Sequence, residues 1–344
     1  MASAAPATIK ISSATRASRV ESVQSLRGLA ALAVAFFHFT GGNGPTNVPA
    51  AAWTVGFYGQ LGIEVFFVIS GFILPYSLWR AGYRFSVQNV FRFVWKRLVR
   101  LDPPYFATIG LVLLLGYLST HVAGYRGDPF QFNVKQIALH IGYLSALFGQ
   151  PWLNPVFWTL AIEFQFYILI ALIYPLLSSG NRTARVATTL LLASVGLLHP
   201  ATRTISSYLP IFACGIAGFQ YFTGISGKRE TSFVLLAAIA ILCARIGIAE
   251  AIISIATVIL IVAIPSWTSP TLSFFGTISY SVYLLHLPIG VRVMNLVARL
   301  PYSPAVGLGS LAAAFAATIV AAYIFYRLVE KPSMRYAASI RFKE

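Results

Sequence analysis

The chain has 344 residues, 58% of them hydrophobic and only 10% charged, with a formal net charge of +16. Soluble domains carry about 25% charged residues, so this composition excludes one and predicts an all-α, polytopic membrane protein. The basic excess would suggest nucleic acid in a soluble protein; in a membrane protein it is read through the positive-inside rule, and no nucleic-acid partner is expected.

Residues 1–22 are rich in Ala and Ser and read as a flexible cytoplasmic tail without the apolar core of a signal peptide. The first span is expected over about 25–41, acting as an uncleaved signal anchor, and GGNGPTNVP (41–49) opens an external loop. A second span, about 61–79, returns inward. Residues 80–103 form a basic cytoplasmic loop ending at Pro103-Pro104, and a third span covers about 104–120. Residues 134–149 are too short to span without inverting the later basic loops, and read as a short external or re-entrant helix with an interfacial His140. Further spans follow over 156–177, 186–199 and 207–222, two within 233–265, then 272–290 and 303–326. The total is about ten transmembrane helices.

Nineteen of the 25 Lys and Arg fall in alternate connections: 1–27, 80–100, 182–185, 228–229 and the basic cytoplasmic tail after 326, whose last stretch is 334–344. This asymmetry places both termini in the cytoplasm. Cys214 and Cys243 lie in apolar segments and imply no disulfide framework.

Ionisable groups inside apolar runs mark functional sites. Arg27 and His38 stand on one face of the first span, about 16 Å apart along its axis. Glu64, Glu163 and His286 each sit near an expected outer helix end, so four helices place rare ionisable groups at one depth, with His38. Ser279, Tyr283 and His286 form an i, i+4, i+7 row that would line a cavity or glue helices together. Tyr167 lies one turn from Glu163. Arg92, Lys96 and Arg100, with Arg97 beside them, make a basic ridge suited to phosphates or to anionic lipids. No metal site is expected.

Several stretches, in this order, carry a likeness: Arg27-x10-His38, GIEVFFVISGFIL (62–74), KRLVRLDPPY (96–105), FWTLAIEFQFYIL (157–169), SYSVYLLHLPI (279–289) and EKP (330–332). Together they resemble the membrane-bound acyltransferase family 3, which includes bacterial polysaccharide O-acetyltransferases, and they make residues 23–333 a transmembrane domain of that type. Glu64 stands where an Asp is common in the family. The resemblance implies O-acyl transfer, acetyl for preference, from cytoplasmic acetyl-CoA (acyl-CoA) to a hydroxyl of a cell-surface, exported or lipid-linked carbohydrate at a bacterial inner membrane. It also implies that His38 is the essential histidine, that Arg27 is its paired basic residue, and that Arg97 and Arg100 handle the donor.

An imidazole that removes a sugar hydroxyl's proton is the simplest catalyst for such a transfer. His38 is the candidate base, with Glu64 or Glu163 orienting it and Tyr167, Ser279, Tyr283 or His286 meeting the substrate or its oxyanion. The 16 Å separation demands a tunnel for the donor's arm between the helices that carry these groups. A proton-coupled transporter or flippase and a membrane scaffold are the competing classes, separated from an enzyme by covalent product formation.

Overall fold

The computed structural model describes residues 20–42, 48–122, 130–198, 204–301 and 303–342; of the expected N-terminal tail, residues 1–19 lie outside the described residues. Among those residues the chain forms helices and no strand. They run α1 (Glu21–Phe39), α2 (Ala50–Phe57), α3 (Gly62–Arg80), α4 (Val87–Thr120), α5 (Val134–Ile141), α6 (Phe157–Leu177), α7 (Arg182–Val195) and α8 (Ile205–Phe222). The remainder are α9 (Lys228–Arg245), α10 (Ile248–Ala263), α11 (Pro270–Leu285), α12 (Arg292–Val297), α13 (Pro304–Phe325) and α14 (Lys331–Ser339).

Among the described residues seven helical segments are long and apolar enough to cross a membrane, not ten. The other three expected spans are α7, α9 and α10. They pack against α8 and one another, but α7 has only 14 residues and α10 has 16. The 18 residues of α9 open on Lys228, Arg229 and Glu230 and close on Arg245. Each lacks a full ~30 Å apolar length by itself. Yet α6 and α8 run in the same direction, so α7 carries the chain back between them, and α9 and α10 pair as a hairpin between the end of α8 and the start of α11.

Several boundaries differ from the sequence expectation. The basic loop and the third span are one 34-residue helix, α4, which runs through Pro103 and Pro104. Pro103 and Pro104 take the helical donors away from the Val99 and Arg100 carbonyls. Beside this break α11 packs on α4, the Tyr280 hydroxyl donating to the next carbonyl, that of Leu101, at 3.0 Å. At about 51 Å, α4 exceeds the hydrocarbon thickness, so its basic first turns project beyond the apolar zone. Residues 331–339, expected near the start of a tail, form α14 and dock on α4. The 134–149 stretch contains only the eight-residue α5, as its shortness suggested.

Two close approaches set the bundle's interior. Helices α1 and α11 run parallel and touch at Gly28 and Gly276; a Cβ on Gly28 would lie 2.8 Å from the Gly276 nitrogen and the Leu272 carbonyl oxygen. Antiparallel to them run α3, α6 and α8, of which α3 and α8 meet at Gly71 and Gly215. Small residues at such crossings let backbones approach and maximise dispersion contacts where no hydrophobic drive exists.

Candidate functional site

Between α1, α3, α4, α6 and α11 lies a cavity of about 150 Å³. Arg27, Arg97 and Arg100 line it from the basic end, Glu163, Tyr167 and Ser70 its middle, and Thr159, Ser279, Tyr280 and Tyr283 its other walls. Its walls are the four expected helices plus α4.

The arginines are held differently. Arg97 donates from Nη2 to Ser77 Oγ at 3.1 Å, with its guanidinium 5.2 Å from the Phe93 ring and 5.9 Å from the Tyr167 ring. Its Nε is buried with no acceptor among the described residues. Two carboxylates stand close enough to offset part of this charge, both of them near Arg27, the first also near Arg97 and the second near Arg100. One is Glu163, whose Oε1 accepts from Ser70 Oγ at 2.9 Å. The other is Glu330, which the sequence reading passed over. Glu330 is only 3% exposed, accepts from Ser281 Oγ at 2.5 Å, and acts electrostatically on Arg27 and Arg100. Its signal was present, since it is one of only nine acidic residues.

The cavity hydroxyls are largely committed. Ser279 donates to the Gly276 carbonyl at 2.9 Å and Tyr280 to that of Leu101. Thr159 donates to the Val156 carbonyl at 2.9 Å, which leaves Tyr283 as donor in its 2.7 Å contact with Thr159. Cavity groups absent from the sequence reading (Ser70, Thr159 and Tyr280) had no signal beyond being polar in an apolar run.

The four ionisable groups expected at one depth do not meet. His38 and His286 do: their ring centroids are 5.1 Å apart, because parallel α1 and α11 carry both about equally far beyond the Gly28–Gly276 crossing. Glu64 is buried in α3, outside the cavity lining, and its Oε2 has no hydrogen-bond partner among the described residues. Gly62 packs on Ala30, and His38 lies eight residues further along α1, so Glu64 stands at least about 12 Å below it in depth. Glu163, bonded to Ser70, is deeper by another turn and a half. The sequence estimate failed because apolar helix runs on from Ala50 to Arg80 and from Pro270 to Val297. Glu64 and His286 therefore lie well inside their segments rather than at the ends.

His286 is fully buried, and its Nδ1 lies 2.7 Å from the Tyr283 carbonyl oxygen and 3.3 Å from that of Val282. Both neighbours are acceptors, so Nδ1 carries the proton and Nε2 keeps a lone pair. Nε2 has no partner among the described residues. In this tautomer it accepts and does not donate, which removes His286 from the oxyanion donors. A π-helical turn begins at His286 and runs to Val291, the kind of local widening that recurs at functional sites.

The cavity stops short of this pair. Neither His38 nor His286 lines it; Tyr283 stands between, its ring 5.8 Å from His286 and 5.7 Å from Phe66. His140 sits elsewhere, fully buried within the protein. Its Nδ1 donates to the Gln136 carbonyl at 2.7 Å and its Nε2 accepts from the Leu153 amide at 2.9 Å. It is a structural tie for the 142–156 segment.

A polytopic helical bundle with an internal arginine-rimmed cavity and a buried imidazole pair defines a membrane protein with a binding or catalytic interior. The acyltransferase domain family matches residues 20–327, and the chain belongs to that acyltransferase family. It is 28% identical over 318 residues to a Komagataeibacter xylinus protein named as a membrane-bound transacylase, BcsY, covering 83% of this chain and 78% of that one. It is 29% identical over 152 residues to the O-acetyltransferase OatA of Staphylococcus aureus. A Bacillus subtilis protein named as a peptidoglycan O-acetyltransferase, YrhL, is 31% identical over 161 residues. Those two matches cover 42% of this chain and only 24% of each relative. No solved structure matches.

Proposed function

We propose that this acyltransferase is an O-acetyltransferase of the bacterial inner membrane. It takes its acyl group from acetyl-CoA on the cytoplasmic side and delivers it to a carbohydrate hydroxyl presented at the other face. The orientation follows the distribution of Lys and Arg, with the Arg97 end and both termini cytoplasmic. The observation that carries the reading is the continuous row from Arg27, Arg97 and Arg100 through Glu163 and Tyr283 to the His286–His38 pair. Cations at one end suit an anionic donor entering from that side, and an imidazole pair at the other suits proton removal.

In the reaction the acceptor oxygen attacks the thioester carbonyl carbon while His38 takes its proton. The tetrahedral intermediate then expels the thiolate, which receives that proton. His286 replaces the carboxylates as the group beside His38, its ring fixed by the Tyr283 carbonyl. Tyr283 joins the two regions: its ring lines the cavity and its backbone holds His286. A swing of that ring away from Phe66 opens the cavity to His38.

The test is transfer of radiolabelled acetyl groups from acetyl-CoA to surface glycan in membranes carrying wild type or His38→Ala. A general base contributes about 10²–10⁴-fold, and loss of that order, with equal protein in the membrane, is expected. Unchanged labelling would remove His38 from the chemistry. Movement of an unmodified substrate, without any covalent product, would mark a transporter.

A further inference from the structure

A second and larger concavity opens at the basic end. It holds about 640 Å³ between the turn that ends α3, the first turns of α4 and the segment following α14. Arg84, Lys96 and Arg341 line it with Phe342, and among the described residues no carboxylate does.

Three parts of the chain, distant in sequence, build this cleft. Helix α3 ends on Gly82 at φ +62°, the left-handed cap that glycine favours, with the Gly82 amide donating to the Trp79 carbonyl at 3.1 Å. A Cβ at Gly82 would meet nothing within 4 Å, so this wall is open. The turn is anchored by Tyr83, whose hydroxyl donates to the Ala171 carbonyl at 3.1 Å and whose ring meets Phe342 edge-on at 5.4 Å. Lys96 pins the opposite wall: Nζ donates to the Ile340 carbonyl at 3.1 Å and lies 6.0 Å from the Phe342 ring.

The two concavities are neighbours. Lys96 faces the cleft while Arg97, about 3.8 Å along the backbone, lines the central cavity. The central cavity's 150 Å³ falls below the ~300–1,000 Å³ of pockets that enclose whole ligands. An acyl thioester arm fits its narrow shape; a nucleotide bearing three phosphates does not.

We propose that the Arg84–Lys96–Arg341 cleft binds the phosphate-bearing nucleotide end of the donor, while the arm passes Arg97 into the central cavity. This rests on the acetyl-CoA reading above. Three cations, with no lining carboxylate among the described residues, match a polyphosphate through charge-assisted hydrogen bonds.

The experiment titrates adenosine 3′,5′-bisphosphate, and separately coenzyme A, into the full chain in zwitterionic lipid nanodiscs, read by calorimetry. The triple variant Arg84→Ala/Lys96→Ala/Arg341→Ala is expected to weaken both by about tenfold or more. The single charge reversal Arg341→Glu, at an exposed position, does the same without touching the Lys96 hydrogen bond. Lys228→Ala, exposed in α9 and outside the cleft, is expected to bind as wild type does. Equal loss in Lys228→Ala, or wild-type affinity in Arg341→Glu, overturns the site. If coenzyme A binds but its phosphates depend on Arg97 alone, the donor reading stands and the cleft falls. Competitive displacement of the bisphosphate by phosphatidylglycerol, with coenzyme A unaffected, assigns the cleft to a lipid headgroup instead. Wild type that binds neither probe refutes the donor reading and the cleft together.

Discussion

The central cavity and the histidine pair are both built on α1 and α11, and they solve opposite problems. The cavity has space, three half-buried arginines and two carboxylates that offset part of their charge. At the pair, one ring is fully buried and fixed by backbone carbonyls, and no carboxylate among the described residues hydrogen-bonds it. Charges need room for solvent or ligand, because an uncompensated ion in a dry interior costs several kcal/mol. A proton acceptor needs fixed geometry instead, and a neutral imidazole tolerates burial at much lower cost. Binding and proton chemistry therefore occupy different levels of the same helix pair.

Substitutions can break this contrast. The largest effect after His38 itself is expected at the other ring. His286→Ala lowers turnover by about 100-fold with the donor KM little changed, since it removes the group beside the base rather than a binding contact. A rise in KM with turnover intact would move His286 into the binding half of the comparison. Arg100→Ala acts in the reverse sense, raising the donor KM about tenfold, the size of a lost charge-assisted hydrogen bond, while saturating turnover is largely kept. Steady-state kinetics with acetyl-CoA as the varied substrate separates the two.

Gly276→Ala tests the shared scaffold. Its Cβ would overlap the Gln24 backbone, pushing α1 from α11 at a cost of about 1–3 kcal/mol. Both KM and turnover should suffer, along with thermal stability in detergent; an unchanged melting temperature would show that the crossing gives way freely.

The smallest effect concerns His140, outside both regions. Burial pulls its ring below the ordinary value of 6.5, against an opposing hydrogen bond to Gln136. The unfolded segment therefore binds more protons as pH falls, so docking of residues 134–153 is most stable above pH 6.5 and weakens below it. Amide protection in that segment, taken relative to the intrinsic exchange rate at each pH, should fall between pH 7 and 5. Protection that rises there would reverse the sign.

Much of the architecture was legible in the chain. Apolar run length located most of the spans, and the shortness of 134–149 ruled it out as one. Helical spacing placed Arg27 and His38 on one face, and Ser279, Tyr283 and His286 on another. Depth was not legible, because a helix end read from hydropathy can miss the true end by several residues, each worth about 1.5 Å. That error raised Glu64 to the level of His38. Pro103-Pro104 misled in the same local way: the pair reads as a stop, yet one helix runs through it.

The sequence by itself determined an all-α membrane protein, its acyltransferase family likeness and the identity of most of its rare buried charges. These depend on composition and on spacing within single helices, which the chain states directly. Only tertiary structure decided which charges meet. The glycine crossing brings His286 to His38, the turn after α13 carries Glu330 back to Arg27, and the segment after α14 lays Arg341 beside Arg84 and Lys96. Each of these juxtapositions is a contact between helices, fixed by how closely two backbones approach and at what level, and one chain read in order contains neither quantity.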